Sequence, residues 1–200
     1  MRRASHLKVG ATDMKKTFKY TLLFLLALFL SRHWIFEKTV SFHPISEQPN
    51  YIVSDSLLYY FLAAPKAEKE IENIIRQALD MTAERLEFAS QNTATDPNIS
   101  FYGKRAHCVG YAAFFATAFN FLINKNSGEK IWEAKHVRGK ISFLGIDMHQ
   151  FSDSPFFRDH DFNVVENIRT GEQYIMDASV RDVLWIKYVV NISTLRRLDD

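Results

Sequence analysis

Cys108 is the only cysteine in 200 residues and opens the stretch HCVGYAAFFATAFNFLI, residues 107–123. With one cysteine no intrachain disulfide can form, so the residue is a free thiol, either packed or reactive. Residues 109–123 are apolar on nearly every side, with Thr117 and Asn120 the polar exceptions, and predict a central helix buried all round. Cys108 then stands at a helix N-terminus, where unpaired amides and the helix dipole favour an anion. Position alone does not select chemistry, because free cysteine is also among the most buried residue types. A nucleophile needs a base, and the base needs an orienting partner.

Both are available downstream. HDFNVVENIRTGEQYIMDAS, residues 160–179, reads as a β-hairpin, two alternating runs about a turn near Thr170 and Gly171. For a two- or four-residue loop, facing residues sum to an odd number, so His160 and Asp177 share a face. A loop over residues 168–171 sets Asp177 opposite Phe162 and diagonal to His160, roughly 7 to 8 Å away between backbones. From there a carboxylate can orient the imidazole. A three-residue loop would put the two on opposite faces.

The elements that must position these groups are legible in the pattern around them. SLLYYFLAA suggests a short helix ending at Pro65, which can enter the first turn of the next. Residues 66–89 carry Ile71, Ile74, Ile75, Ala78, Leu79 and Leu86 at helical spacing and predict an amphipathic helix covering the cysteine helix or the sheet edge. SQNTATDPN, residues 90–98, is a loop delivering the chain to Cys108. IWEAKHVRGKISFLGIDM alternates well enough for two strands around Gly139, and the tail from residue 180 packs a last strand or helix on the sheet.

The order cysteine on a helix, histidine on a strand, aspartate on the next is that of a cysteine acyl-transfer triad. The blocks CVGYAAFF from Cys108, VRG from Val137, HDFNVV from His160 and GEQYIMDAS resemble the core of the transglutaminase-like superfamily, over about residues 100–182. The resemblance implies a papain-like α+β fold, with the buried cysteine helix packed on an antiparallel sheet. It also implies Cys108 as nucleophile, His160 as general base and acid, and Asp177 as the residue that holds the imidazole. The substrate would be a peptide or protein amide, taken to hydrolysis or to transfer onto an amine. The chain's small size favours hydrolysis. Asp161 stands where small or apolar residues are common in the family, and Phe162 where tryptophan is frequent. The Cys108 amide is a candidate oxyanion donor, with the Tyr102 or His107 side chain as a second. The competing class is a non-catalytic binding or scaffolding module that retains the fold.

Composition narrows the partners. Twenty-five Lys and Arg oppose 23 Asp and Glu, without a basic run or face, so nucleic acid is not expected. Asp147, His149, Asp153, Asp159 and His160 match no metal-ligand spacing, and phosphate-binding glycine motifs are absent, so no metal or cofactor is expected. Asn98 and Asn191 begin short glycosylation-type triplets of low specificity. MKKTFKYTLLFLLALFL, residues 14–30, joins Lys15, Lys16 and Lys19 to an eleven-residue apolar run, the build of an export signal or uncleaved anchor. The lysines would stay inside, and everything after about residue 37 would lie across the membrane. As an anchor the run is short of the ~20 residues needed and would have to recruit Trp34 to Phe36 across Arg32 and His33. Residues 1–40 thus read as signal or anchor, 41–54 as connector and 55–200 as the transglutaminase-like domain.

Overall fold

The computed structural model describes residues 11–66, 70–91, 93–127, 131–151, 160–186 and 189–191. It divides into two compact units, Met1–Phe36 and Glu37–Asp200.

The described residues of the first unit belong to one helix, α1 (Ala11–Thr39). Its stretch Lys16–Thr39 is 24 residues long, apolar enough to cross a membrane, and has none of its most apolar window buried in protein. At a 1.5 Å rise this is about 36 Å, beyond the ~30 Å of a bilayer's hydrocarbon. The helix runs on past the eleven-residue apolar run to Thr39, and the polar residues after Leu30 satisfy themselves on it. Ser31 Oγ donates to Ala27 O at 2.6 Å, and the Arg32 guanidinium donates to Phe29 O at 2.7 Å while lying over the Phe29 ring.

The second unit is α+β. Its strands are β1 (Val40–Glu47), β4 (Trp132–Phe143), β5 (Ile146–Asp147), β6 (His160–Asn167), β7 (Gln173–Met176) and β8 (Val189–Asn191), with β2 (Glu87–Phe88) and β3 (Arg105–Ala106) apart. The main sheet runs β1-β4-β6-β7-β8, antiparallel throughout, with β5 folding back on β4. The separate β2–β3 pair is parallel. The helices are α2 (Asp55–Ala63), α3 (Ile71–Arg85), α4 (Pro97–Gly103), α5 (Cys108–Ser127) and α6 (Ala178–Leu184). α5 packs against β4 and β6, and α3 packs against α5. Tyr111, Phe114, Phe115 and Phe119 of α5 are wholly buried with Phe61 of α2 and Leu79 of α3. This is why α5 is apolar all round: the sheet takes one side and helices take the other.

Four boundaries differ from the sequence expectation. Residues 41–47 are not connector but most of β1, an edge strand, which is where a proline such as Pro44 is tolerated; the register slips between Pro44 and Ser46. The segment with Gly139 is one continuous strand rather than two, and the turn falls at Leu144-Gly145. Gly139 serves close approach instead: a Cβ there would lie 2.3 Å from His43 O and 2.7 Å from Phe162 Cε1. The long helix is shorter than residues 66–89. α3 starts after Glu70, leaving Pro65 outside its first turn, and ends at Leu86, whose amide bonds Thr82 O before the chain enters β2. Finally, the loop over 90–98 ends early, because Asp96 accepts from Asn98 N at 2.8 Å and caps α4.

Candidate active site

α5 begins at Cys108 for local reasons. His107 Nδ1 accepts from the Val109 amide at 3.2 Å, a side-chain cap on the first turn. Two residues after the cysteine, Gly110 lets the preceding loop close over the helix start: a Cβ there would meet Ala94 O at 2.8 Å and Ala106 Cβ at 2.9 Å. The Cys108 amide therefore sits in the first turn, where an N–H has no acceptor within the helix. The thiol is buried, with the residue 8% exposed.

The hairpin brings the histidine and aspartate to it. Asn163 pairs with Met176 and Glu166 with Gln173, while Asn167 N bonds Glu172 O and Gly171 N bonds Asn167 O. These bonds close a loop over residues 168–171, and the register carried one step on sets Asp177 opposite Phe162. His160 Nε2 donates to Asp177 Oδ2 at 2.6 Å, with both residues buried. The other carboxylate oxygen, Oδ1, accepts from Ser179 N at 2.9 Å and Ser179 Oγ at 2.6 Å, so Asp177 also caps α6. A short helix thus fixes the carboxylate that fixes the imidazole.

Nε2 being committed to Asp177, the nitrogen left for the thiol is Nδ1. It is buried and completes no regular hydrogen bond, yet Cys108 lies near enough to act on the ring through its charge and a hydrogen-bond contact. Such looseness is common before substrate binds. Burial pushes the His160 pKa down, but the Asp177 carboxylate and then Cys108 outweigh it and raise the value to about 10. Burial pushes Asp177 up, while His160 and the two Ser179 donors hold it below the usual carboxylate range. The arrangement can do what a charged relay of nucleophile, base and orienter does: hold an imidazolium beside a sulfur and move a proton at Nδ1.

Three features around the triad were not read from the sequence. Phe42 of β1 covers His160, ring centroids 5.9 Å apart, and meets Phe162 edge-on at 5.0 Å. Asp161 has a partner: it accepts from His136 Nε2 at 2.8 Å, and both residues are buried. The β4–β6 register makes the pair diagonal, with Arg138 opposite Asp161 and His136 opposite Asn163. Asn163, on the same face as Asp161, donates to Ala112 O of α5 at 2.9 Å and pins helix to sheet. Alternation along β4 and β6 was the available signal, but it needed the strand register.

The remaining candidates are placed elsewhere. His107 serves as a cap, and its pKa is lowered by burial against an opposing pull from Asp161. Tyr102 is largely exposed and rests edge-on against Phe101. Asp147 pairs with Lys140 at 3.1 Å. Asp153 and Asp159 lie outside the described residues, as does the side chain of His149. Among the described residues no three His, Cys, Asp or Glu side chains converge as a metal site. Asn98 is built into the fold, accepting from Ser54 N and donating to Ile52 O, both at 2.8 Å. Compared with models of known families, with curated proteins and with solved structures, the chain finds no match in any of the three.

Proposed function

We propose that the protein is a cysteine acyl-transfer enzyme of transglutaminase-like, papain-like fold, exported and held at a membrane by α1, and that it acts on a peptide or protein amide. The observation that carries this reading is the buried His160–Asp177 pair, 2.6 Å apart, with Cys108 acting on the same ring. Cys108 Sγ attacks the amide carbonyl carbon. The carbonyl oxygen, turned oxyanion, is met by amides of the first turn of α5, Cys108 N–H foremost. His160 gives the Nδ1 proton to the departing amine as the C–N bond breaks, leaving a thioester on Cys108. It then takes a proton from the incoming water or amine, and the thioester breaks to return the thiol and release acid or new amide. Asp177 keeps the ring oriented throughout and stabilises it whenever it carries both protons.

A second reading, a binding module without turnover, is favoured by one observation: Cys108 and His160 are 8% and 6% exposed. An activated ester separates the two. With p-nitrophenyl acetate, the enzyme gives a nitrophenol burst equal to the protein present and an acetyl group on Cys108 by peptide mass spectrometry, both lost in His160→Ala. Acetylation of surface lysines alone, unchanged in His160→Ala, would establish the module.

A further inference from the structure

The β4–β5 turn breaks a local rule. Phe143 pairs with Ile146, so Leu144 and Gly145 form a two-residue hairpin loop, and both have positive φ, 52° and 79°. A turn of this kind favours Asn, Asp or Gly at its first position; a γ-branched apolar residue is strained there. Leu144 is also 65% exposed, and Phe143 and Ile146 on either side are 45% and 47% exposed. Three large apolar residues are thus presented to solvent on a turn that polar residues would suit better. Among the described residues nothing in the packing accounts for them, and departures of this type concentrate where function demands them.

Chain connectivity identifies what they meet. Leu144 N donates to Thr39 O at 2.7 Å, and Phe143 pairs with Val40. Thr39 is the last residue of the 24-residue stretch able to span a bilayer. The turn is therefore hydrogen-bonded to the residue at which that stretch ends, so a bilayer holding the stretch has its surface beside the turn. We propose that Phe143, Leu144 and Ile146 form a membrane-docking tip that inserts into the interfacial layer of the bilayer that α1 occupies, and so fixes the height of the active site above it. This rests on reading α1 as a retained anchor. His160 pairs with Gly139, four residues along β4 from Phe143, which places it about 13 Å from the tip at 3.3 Å per residue. Phe42, which covers His160, is three residues beyond Thr39. A docked tip holds the triad within reach of amides carried close to the lipid surface.

Spin labels on the full chain in phosphatidylcholine vesicles test this. In a Cys108→Ser background, single labels are introduced by Leu144→Cys, Ile146→Cys, Tyr102→Cys as the exposed reference, and Leu26→Cys within α1. Collision with oxygen relative to a water-soluble nickel complex should be several-fold greater at 144 and 146 than at 102. Ratios at 144 and 146 equal to that at 102, with 26 reporting lipid, would overturn the docking tip and leave the anchor standing. Water exposure at 26 would overturn the anchor, and the tip with it. A further substitution separates docking from packing: Leu144→Asn suits the turn and should preserve or raise the thermal midpoint in detergent, yet bring the label at 146 down to the ratio at 102. An unchanged ratio at 146 would show that the leucine does not dock.

Discussion

Asp177→Asn keeps the shape of the side chain and its acceptor for Ser179 but removes the charge facing His160. His160 is the group that must respond. Its pKa is pushed down by burial and carried up, chiefly by Asp177, from 6.5 to about 10. A group raised on folding contributes stability that is complete below its unfolded pKa and disappears as pH climbs through the folded one. The window therefore runs from about 6.5 to about 10, and at 1.36 kcal/mol per pH unit the whole effect is on the order of 5 kcal/mol. Asp177 has the opposite sign: lowered from 3.8, it contributes above that value and loses its contribution as pH falls through its folded pKa. Both contributions coexist near pH 5 to 6. In Asp177→Asn burial is left to act on the ring, and stability should no longer fall across the alkaline window. The assay is denaturant unfolding in detergent followed by tryptophan fluorescence. Both proteins carry Cys108→Ala, which removes the thiol's pull on the ring and leaves Asp177 the main charge acting on it. The gap between them should be widest near pH 6 and close towards pH 10. A gap that stays constant across this range would refute the ion pair. With Cys108 restored, acylation in Asp177→Asn should be slower by about 10⁴-fold, the loss typical of an orienting carboxylate changed to its amide.

Other perturbations probe the scaffold. Gly139→Ala drives a Cβ to 2.3 Å from His43 O; overpacking of this kind costs about 1 to 3 kcal/mol, and the thermal midpoint should fall together with the acetylation rate of Cys108. Asp161→Ala leaves the buried His136 Nε2 without its acceptor and should cost about 1 to 3 kcal/mol, whereas Lys140→Ala, which breaks the partly exposed Asp147 pair, should change stability by less than about 1 kcal/mol. N-terminal sequencing of the membrane fraction should find a start at Met1 or Met14 if α1 is retained; a start in the thirties means a cleaved signal.

The site was more legible than its surroundings. Cys108, His160 and Asp177 could be assembled from sequence because each depends on local pattern: an all-apolar helix fixes one end, and a single hairpin loop fixes the parity of the other two. The loop over 168–171 decided the register, and its turn residues were visible. What stayed hidden depends on contacts distant in the chain. Prolines in residues 41–54 looked like connector because nothing local reveals that β4 offers an edge to residues 40–47. Gly139 looked like a turn because glycine serves turns and close approaches alike, and only His43 O and Phe162 on neighbouring strands distinguish them. His136 and Asp161 meet through the β4–β6 register, across 25 residues. The extent of α1 to Thr39 exceeds the eleven-residue apolar run because Ser31 and Arg32, polar in the pattern, bond back along the helix.

The central claim is that His160 activates Cys108. Its most direct measurement is the rate of iodoacetamide addition to Cys108, by intact-protein mass spectrometry at pH 6, in the unaltered protein, in His160→Gln and in denaturant. Activation predicts that the folded, unaltered protein reacts much faster than the other two, despite the burial of its thiol. Equal rates in the unaltered protein and His160→Gln, both slower than in denaturant, would mean that Cys108 is a packed residue and that the acyl-transfer account is wrong.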